Sequence, residues 1–214
     1  MLDAGSGSGI YRSLFEGAQY ESADFAQVEK GYGHITYVCD LSSIPVEDGR
    51  YELVLLTQVL EHLPDPGAVL RELLRVMRPG GRLWLSAPLF YFEHEAPYDF
   101  YRYTQYGLRH LLESSGFEIE RLEWLEGYLG TLSFQFVIAA GSLPRSPSGY
   151  GGGIVGLVAA AGAALLRPLL WTLSLVLARL DVRHKSTTLG MCKNYVVVAR
   201  KPTSPSKNDA HSGS

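Results

Sequence analysis

Met1-Leu-Asp-Ala-Gly-Ser-Gly-Ser-Gly9 places an acidic residue, Asp3, and three alternate glycines, Gly5, Gly7 and Gly9, just ahead of a helix-like run from Ile10 to Phe15. Glycine has no Cβ and tolerates positive φ, so a turn of this composition lets the backbone come close to a ligand. The first ligand to consider is a dinucleotide, whose fingerprint is Gly-x-Gly-x-x-Gly or Ala between a strand and a helix. Read from Gly5 and Gly7, the third small residue should fall where Ile10 stands; read from Gly7 and Gly9, it should fall at Arg12. Both registers fail. The spacing present is Asp-x-Gly-x-Gly-x-Gly.

Working outward, 214 residues suit one domain of ordinary size with room for an insertion or a tail. A hydrophobic share of 46% and a net charge of -3 describe a globular chain. No long Lys/Arg cluster advertises nucleic acid, so none is expected as a partner. Cys39 and Cys192 are the only cysteines, too few for a disulfide framework or a cysteine zinc site, and no set of metal ligands is nominated. A reducing cytosol is the natural compartment. Only Met1 and Leu2 precede Asp3, whereas strands usually run about five or six residues, so the expectation is a first strand whose start is missing from this chain.

Beyond the glycine turn, strands and helices alternate. Ala18 to Asp24 and His34 to Cys39 read as strands that end at acidic residues, and Tyr51 to Thr57 is a nearly continuous apolar run typical of a strand buried on both faces of a parallel sheet. A helix follows, with Asp65 as cap, Pro66 in the first turn, and Val69, Leu70, Leu73, Leu74 and Met77 at helical spacing before Arg78-Pro-Gly-Gly81 stops it. Arg82 to Ala87 is the next strand, Thr104 to Ser115 the next helix, and Phe117 to Trp124 and Tyr195 to Lys201 complete the strands. The pattern predicts an α/β fold: a doubly wound Rossmann-like sheet, mostly parallel with an antiparallel last strand, and helices on both faces. In such sheets the ligand sits outside the carboxyl ends of the strands, where Asp3, Asp24, Asp40 and Thr57 fall.

The segments Tyr51-Glu-Leu-Val-Leu-Leu-Thr-Gln-Val-Leu-Glu-His-Leu-Pro-Asp-Pro66 and Leu73-Leu-Arg-Val-Met-Arg-Pro-Gly-Gly-Arg-Leu-Trp-Leu-Ser-Ala-Pro88, taken with the glycine turn, resemble the class I S-adenosylmethionine-dependent methyltransferases of the small-molecule, type 11-like group. The resemblance spans residues 1 to about 126. It implies S-adenosyl-L-methionine as cofactor, held by the turn residues Asp3, Gly5, Ser6, Gly7 and Gly9. Asp24, with Phe25 beside it, would accept hydrogen bonds from the ribose hydroxyls. Asp40 and Leu41 would hold the adenine; taken alone, Asp40 could simply cap the loop Leu41-Ser42-Ser43, and its register with Asp3 and Asp24 favours the cofactor role. Thr57, Gln58 and Val59 would border the methionine part. His62, one turn on from Thr57, would face the substrate or brace the loop behind Glu61.

The loop Tyr91-Phe-Glu-His-Glu-Ala-Pro-Tyr-Asp-Phe-Tyr-Arg-Tyr-Thr104 is the expected acceptor wall, because aromatic rings supply rigid apolar surface with polar tips. Packing of those rings under the loop is the competing use. His94 is the expected general base, since imidazole titrates near neutral pH. Tyr98 and Tyr101 join the substrate-binding set, and Arg102 suits an anionic acceptor.

Between the last two strands lies an apolar stretch, Gly151 to Leu180, interrupted at Arg167-Pro168. Its length nominates a membrane span, yet both flanking strands belong to one sheet and so must lie on one side. A helical hairpin broken at Pro168, or helices in the interface, would meet that constraint. A cap on the core, or a homodimer contact, is the soluble alternative. The expected organisation is a cofactor-binding core over 1–126 and 191–201, an apolar helical insertion over 127–190, and a disordered tail over 202–214. The expected activity is methyl transfer to a small or lipid-linked acceptor, O-methylation favoured, in the cytoplasm at the inner face of the membrane. A non-catalytic membrane-associated module of the same fold, or a nucleotide or NAD-dependent enzyme, remains as the alternative.

Overall fold

A computed structural model describes residues 1–28 and 31–203. The polar tail expected over 202–214 lies, beyond Thr203, outside them. The chain divides into two compact units, one of Met1–Glu123 with the strand that begins at Asn194, the other of Trp124–Lys193.

The first unit is built on seven strands: β1 (Leu2–Ala4), β2 (Glu21–Asp24), β3 (Tyr37–Val38), β4 (Tyr51–Thr57), β5 (Met77–Pro88), β6 (Glu118–Trp124) and β7 (Asn194–Arg200). Their order in the sheet is β3-β2-β1-β4-β5-β7-β6. The pairs β1/β2, β1/β4, β2/β3 and β4/β5 are parallel, and β5/β7 is antiparallel, with Trp84 opposite Val198. The sheet is the mostly parallel Rossmann-like architecture with an antiparallel strand near its end, flanked by helices. Strand order reverses at β1/β4, which opens a crevice beyond the carboxyl ends of the strands.

Helix α1 (Pro66–Val76) starts where the sequence sets it: the Asp65 side chain accepts from the Ala68 N–H at 2.9 Å, and Pro66 occupies a first-turn position where no N–H is needed. It buries Val69, Leu70, Leu73 and Val76. Helix α2 (Gln105–Ser114) is capped by Thr104 through the Gly107 N–H and buries Leu108 and Leu112.

Three local expectations are corrected. The run after the glycine turn forms only a 3₁₀ turn, Arg12–Phe15, with no buried residue. Ile10 and Leu14 are exposed, so nothing drives a longer helix there. Arg78-Pro-Gly-Gly81 does not separate helix from strand. It lies within β5 as a bulge, Tyr51 pairing with Met77 and Leu53 with Arg82. Gly80 has φ +78°, and a Cβ on Gly81 would come within 2.9 Å of the Arg78 carbonyl oxygen, so the bulge depends on both glycines.

The third correction falls in the second unit, a pair of helices, α3 (Tyr128–Ser142) and α4 (Gly153–Arg183). The latter runs unbroken through Pro168, so the hairpin turns between the two helices rather than at the proline. Arg167, next to that proline, donates to the carbonyls of Ala140 and Leu143, tying the end of α3 to the middle of α4. Ser133 hydrogen-bonds the Ser174 backbone and hydroxyl at 2.9 and 3.0 Å, and the Asp181 carboxylate accepts the Gly127 N–H at 2.8 Å. Among the described residues, α4 is the one helix long and apolar enough to cross a membrane.

Candidate cofactor and acceptor site

The crevice at the β1/β4 switch point is a cavity whose walls come from the turns after β1, β2, β3 and β4 and from the loop that follows β5. Its floor is the glycine turn. Gly5, Gly7 and Gly9 all hold positive φ, and a Cβ on Gly5 would lie 2.3 Å from a methyl of Val59. No other residue fits there. The Gly7 N–H donates to the Asp24 carboxylate at 2.8 Å, and the Ala26 N–H to its other oxygen at 3.0 Å. These bonds fix Asp24 at the end of β2, with its carboxylate at the cavity wall.

Of the residues nominated from sequence, Gly5, Asp24, Phe25, Asp40, Leu41, Gln58, Val59, His62 and Tyr98 line this one cavity. Asp3, Ser6, Gly7, Gly9 and Thr57 are not among its lining. Asp3 is buried under the turn and takes a short hydrogen bond from the Tyr20 hydroxyl, and burial raises its pKa. It supports the floor. Asp40 caps its loop, accepting from the Ser42 N–H and hydroxyl at 2.8 Å, and it also lines the cavity. An apolar slot of Phe25, Leu41 and Val59 with two carboxylates on its rim is the chemistry a nucleoside requires, so the chain's own residues fit a cofactor with an adenosyl group.

Backbone strain marks the same place. Ala26, Gln58 and Glu95 are the non-glycine residues with positive φ among those described, and all three line the cavity. Gln58 is held in that conformation by Ser86, which accepts its N–H at the backbone carbonyl and its side-chain amide at the hydroxyl, both at 3.0 Å.

The opposite end of the cavity is formed by a 3₁₀ turn, Leu60–His62, and the loop over 91–103. The Glu61 carbonyl accepts the N–H groups of Phe100 and Tyr101, stitching loop to turn. Its side chain is fully buried, neither carboxylate oxygen has a hydrogen-bond partner among the described residues, and burial pushes the carboxyl up to about 7. The His62 Nδ1 lies 2.5 Å from the Tyr98 carbonyl oxygen, and burial lowers the imidazole's pKa. His94 stands edge-on to His62, ring centroids 4.7 Å apart.

Arg102 departs from its expected role. Its five N–H donors meet five acceptors: both oxygens of Asp99 at 2.7 and 2.8 Å, and the carbonyls of Tyr91, Phe92 and Tyr101. The guanidinium holds the loop in shape and has no donor left for an anionic acceptor, and its hydrogen bonds keep the Asp99 carboxyl well below the usual carboxylate range. Tyr101 donates to the Pro64 carbonyl and lies outside the cavity lining. Glu61 is the residue that sequence reasoning passed over. Its signal was weak, an acidic side chain within an apolar run, Val59-Leu-Glu-His-Leu63.

Residues 2–85 match the family model of a methyltransferase domain. Among curated proteins, the chain is 31% identical over 134 residues to a Mycolicibacterium smegmatis protein named "Probable S-adenosylmethionine-dependent methyltransferase", covering 56% of this chain and 52% of that one. It is 34% identical over 99 residues to the ubiquinone biosynthesis O-methyltransferase of Xanthomonas oryzae, covering 40% and 41%. The chain thus spans about half the length, or less, of the curated relatives it matches. Among solved structures, the cyclase SpnF aligns at TM-score 0.56 with 21% identity, covering 95% of this chain and 74% of that one. A Burkholderia thailandensis 1,6-didemethyltoxoflavin-N1-methyltransferase holding S-adenosylhomocysteine aligns at 0.53 with 17% identity, covering 94% and 70%. These structural likenesses speak for the fold. Residues 2–85 are thus matched to a methyltransferase domain, and the strand order with a crevice at its switch point is the architecture of the class I S-adenosylmethionine-dependent methyltransferases.

Proposed function

We propose that the protein transfers the methyl group of S-adenosyl-L-methionine to a hydroxyl of a small or lipid-linked acceptor, at the cytoplasmic face of a membrane. The observation that carries the reading is one cavity whose one end suits a nucleoside and whose other end is lined by His62, with the His94 ring packed edge-on behind it, and by Tyr98 and Phe100 of an aromatic loop. When bound, the cofactor supplies an activated methyl on a sulfonium centre. Asp24 and Asp40 accept from the nucleoside end, Phe25 and Leu41 enclose the ring, and Gln58 and Val59 fix the approach to the reacting carbon. The loop over 91–103 excludes water and orients the acceptor for in-line attack. A hydroxyl acceptor must also lose a proton, and the groups placed for that demand are Glu61, His62 and His94. The O-methyltransferase name of the Xanthomonas relative points the same way. The lipid-linked acceptor and the membrane are supported by α4, whose Ile154, Val155, Val158 and Leu165 are each more than 65% exposed.

Calorimetry with S-adenosylhomocysteine tests the donor half of this reading. One site per chain is expected; no binding would defeat the enzyme reading and leave a non-catalytic module of the same fold.

A further inference from the structure

From Glu61, His62 and His94 we infer a divalent-cation site at the acceptor end of the cavity, of the two-histidine, one-carboxylate kind, that binds a first-row transition metal. One ligand atom from each of the three residues lies within 4.8 Å of the other two. Three further observations favour a cation over a mere cluster.

The first is the carboxylate. Glu61 is fully buried, and neither of its oxygens has a hydrogen-bond partner among the described residues. A buried carboxyl without partners is costly, and the usual remedies are a hydrogen bond or a metal. Its Oε1 faces the His62 Nε2 at 3.9 Å, too far for a hydrogen bond and close enough for both to reach one ion.

The second is the tautomer of each imidazole. The His62 Nδ1 faces the Tyr98 carbonyl oxygen, which can only accept, so Nδ1 carries the proton and Nε2 keeps its lone pair. The His94 Nδ1 lies 3.2 Å from the Phe92 carbonyl oxygen and 3.4 Å from the Asp99 carboxylate, both acceptors, which again leaves a lone pair on Nε2. Metal-ligating histidines are held in this way, the second nitrogen donating to a carbonyl or carboxylate that fixes the ring.

The third is access. The His62 and His94 side chains are 13% and 24% exposed, and His62 lines the cavity, so the cluster reaches the cavity through that imidazole while Glu61 lies buried behind it. Three protein ligands is the arrangement of catalytic rather than structural metal sites. This departs from the sequence reading, which nominated no metal.

The chemical use of the site rests on the proposed methyl transfer. A cation there binds the acceptor hydroxyl and lowers its pKa. The proton leaves to bulk water, an oxygen lone pair forms the new bond to the methyl carbon, and the carbon–sulfur bond breaks with its electron pair going to sulfur, giving the methyl ether and S-adenosylhomocysteine. His94 then acts as a ligand in place of the free base expected from sequence.

The test is metal binding by the intact chain after removal of metal with a chelator. Titration with Co²⁺ should give one tight equivalent with a visible absorption band, displaced by Zn²⁺. His94→Ala and Glu61→Gln should each weaken Co²⁺ binding at least tenfold, with the fold checked by circular dichroism. Where Glu61→Gln does not fold, His94→Ala carries the test, since its side chain is partly exposed. No stoichiometric Co²⁺ binding by the wild-type chain, or undiminished binding by the His94 variant, overturns the site. Binding of S-adenosylhomocysteine, measured separately on the metal-free protein, distinguishes the two claims: cofactor without metal leaves the methyl-transfer reading and removes this inference, and metal without cofactor does the reverse.

Discussion

At the scale of single residues, Asp24 is the most heavily committed group on the donor side. It takes the N–H of Gly7 on one oxygen and that of Ala26 on the other, and still faces the cavity. Asp24→Ala should therefore weaken S-adenosylhomocysteine binding by about 1–3 kcal/mol, roughly 5- to 150-fold, by removing ribose acceptors and orphaning two backbone donors. Calorimetry on a variant with native circular dichroism checks this, and unchanged affinity would remove Asp24 from the site. Asp24 could be nominated from sequence because its place at a strand end is local information. Glu61 could not, since its burial arises only in the folded chain, where the N–H groups of Phe100 and Tyr101, some forty residues away, tie the loop to its backbone carbonyl. Arg102 looked available for the same reason in reverse: the five acceptors that occupy it are supplied by the fold of the loop.

Among the elements, β4, α1 and α2 were legible because each carries its own cause: a continuous apolar run, a proline-marked start, a side-chain cap. The helix expected at Ile10–Phe15 failed because a short segment without a buried face has nothing to offset its ordering entropy. Pro168 misled as well, since a proline lowers helix stability without forbidding a helix whose neighbour holds it. The amino ends of β2, β3 and β4 are tied by a feature no periodicity reveals. Glu21 on β2 accepts from Arg50 at 2.7 and 2.9 Å, from Tyr51 on β4 at 2.6 Å and from Tyr37 on β3 at 3.2 Å. Hydrogen bonds from Arg50, then from the tyrosines, hold its carboxyl at about 2. The folded-state pKa is below the unfolded one, so this contribution is complete above the ordinary glutamate range and is lost as pH falls toward 2. Glu21→Gln should lower stability near neutrality by about 1 kcal/mol, a figure reduced for solvent screening, and the two proteins should converge in acid. Urea unfolding midpoints across that pH range measure it; a gap that persists in acid would assign the effect to packing.

For the whole molecule, the sheet unit holds every residue of the proposed site, while the unit over 124–193 holds the long apolar helix. Fractionation of cells expressing the protein should place it with membranes, released by detergent. Recovery wholly in the soluble fraction as a monodisperse oligomer would turn α4 into a dimer or cap element. The cavity floor has a further consequence, one of timing. Gly5 and Val59 interlock at the ends of β1 and β4, neighbours in the sheet that lie far apart in the chain, so the pocket has no existence until that long-range pair has closed. A ligand that recognises only the finished pocket cannot hasten its assembly. Added S-adenosylhomocysteine should leave the refolding rate unchanged and slow unfolding alone, as stopped-flow traces with and without it would show. Faster refolding in its presence would mean that the glycine turn captures the nucleoside before the sheet is built.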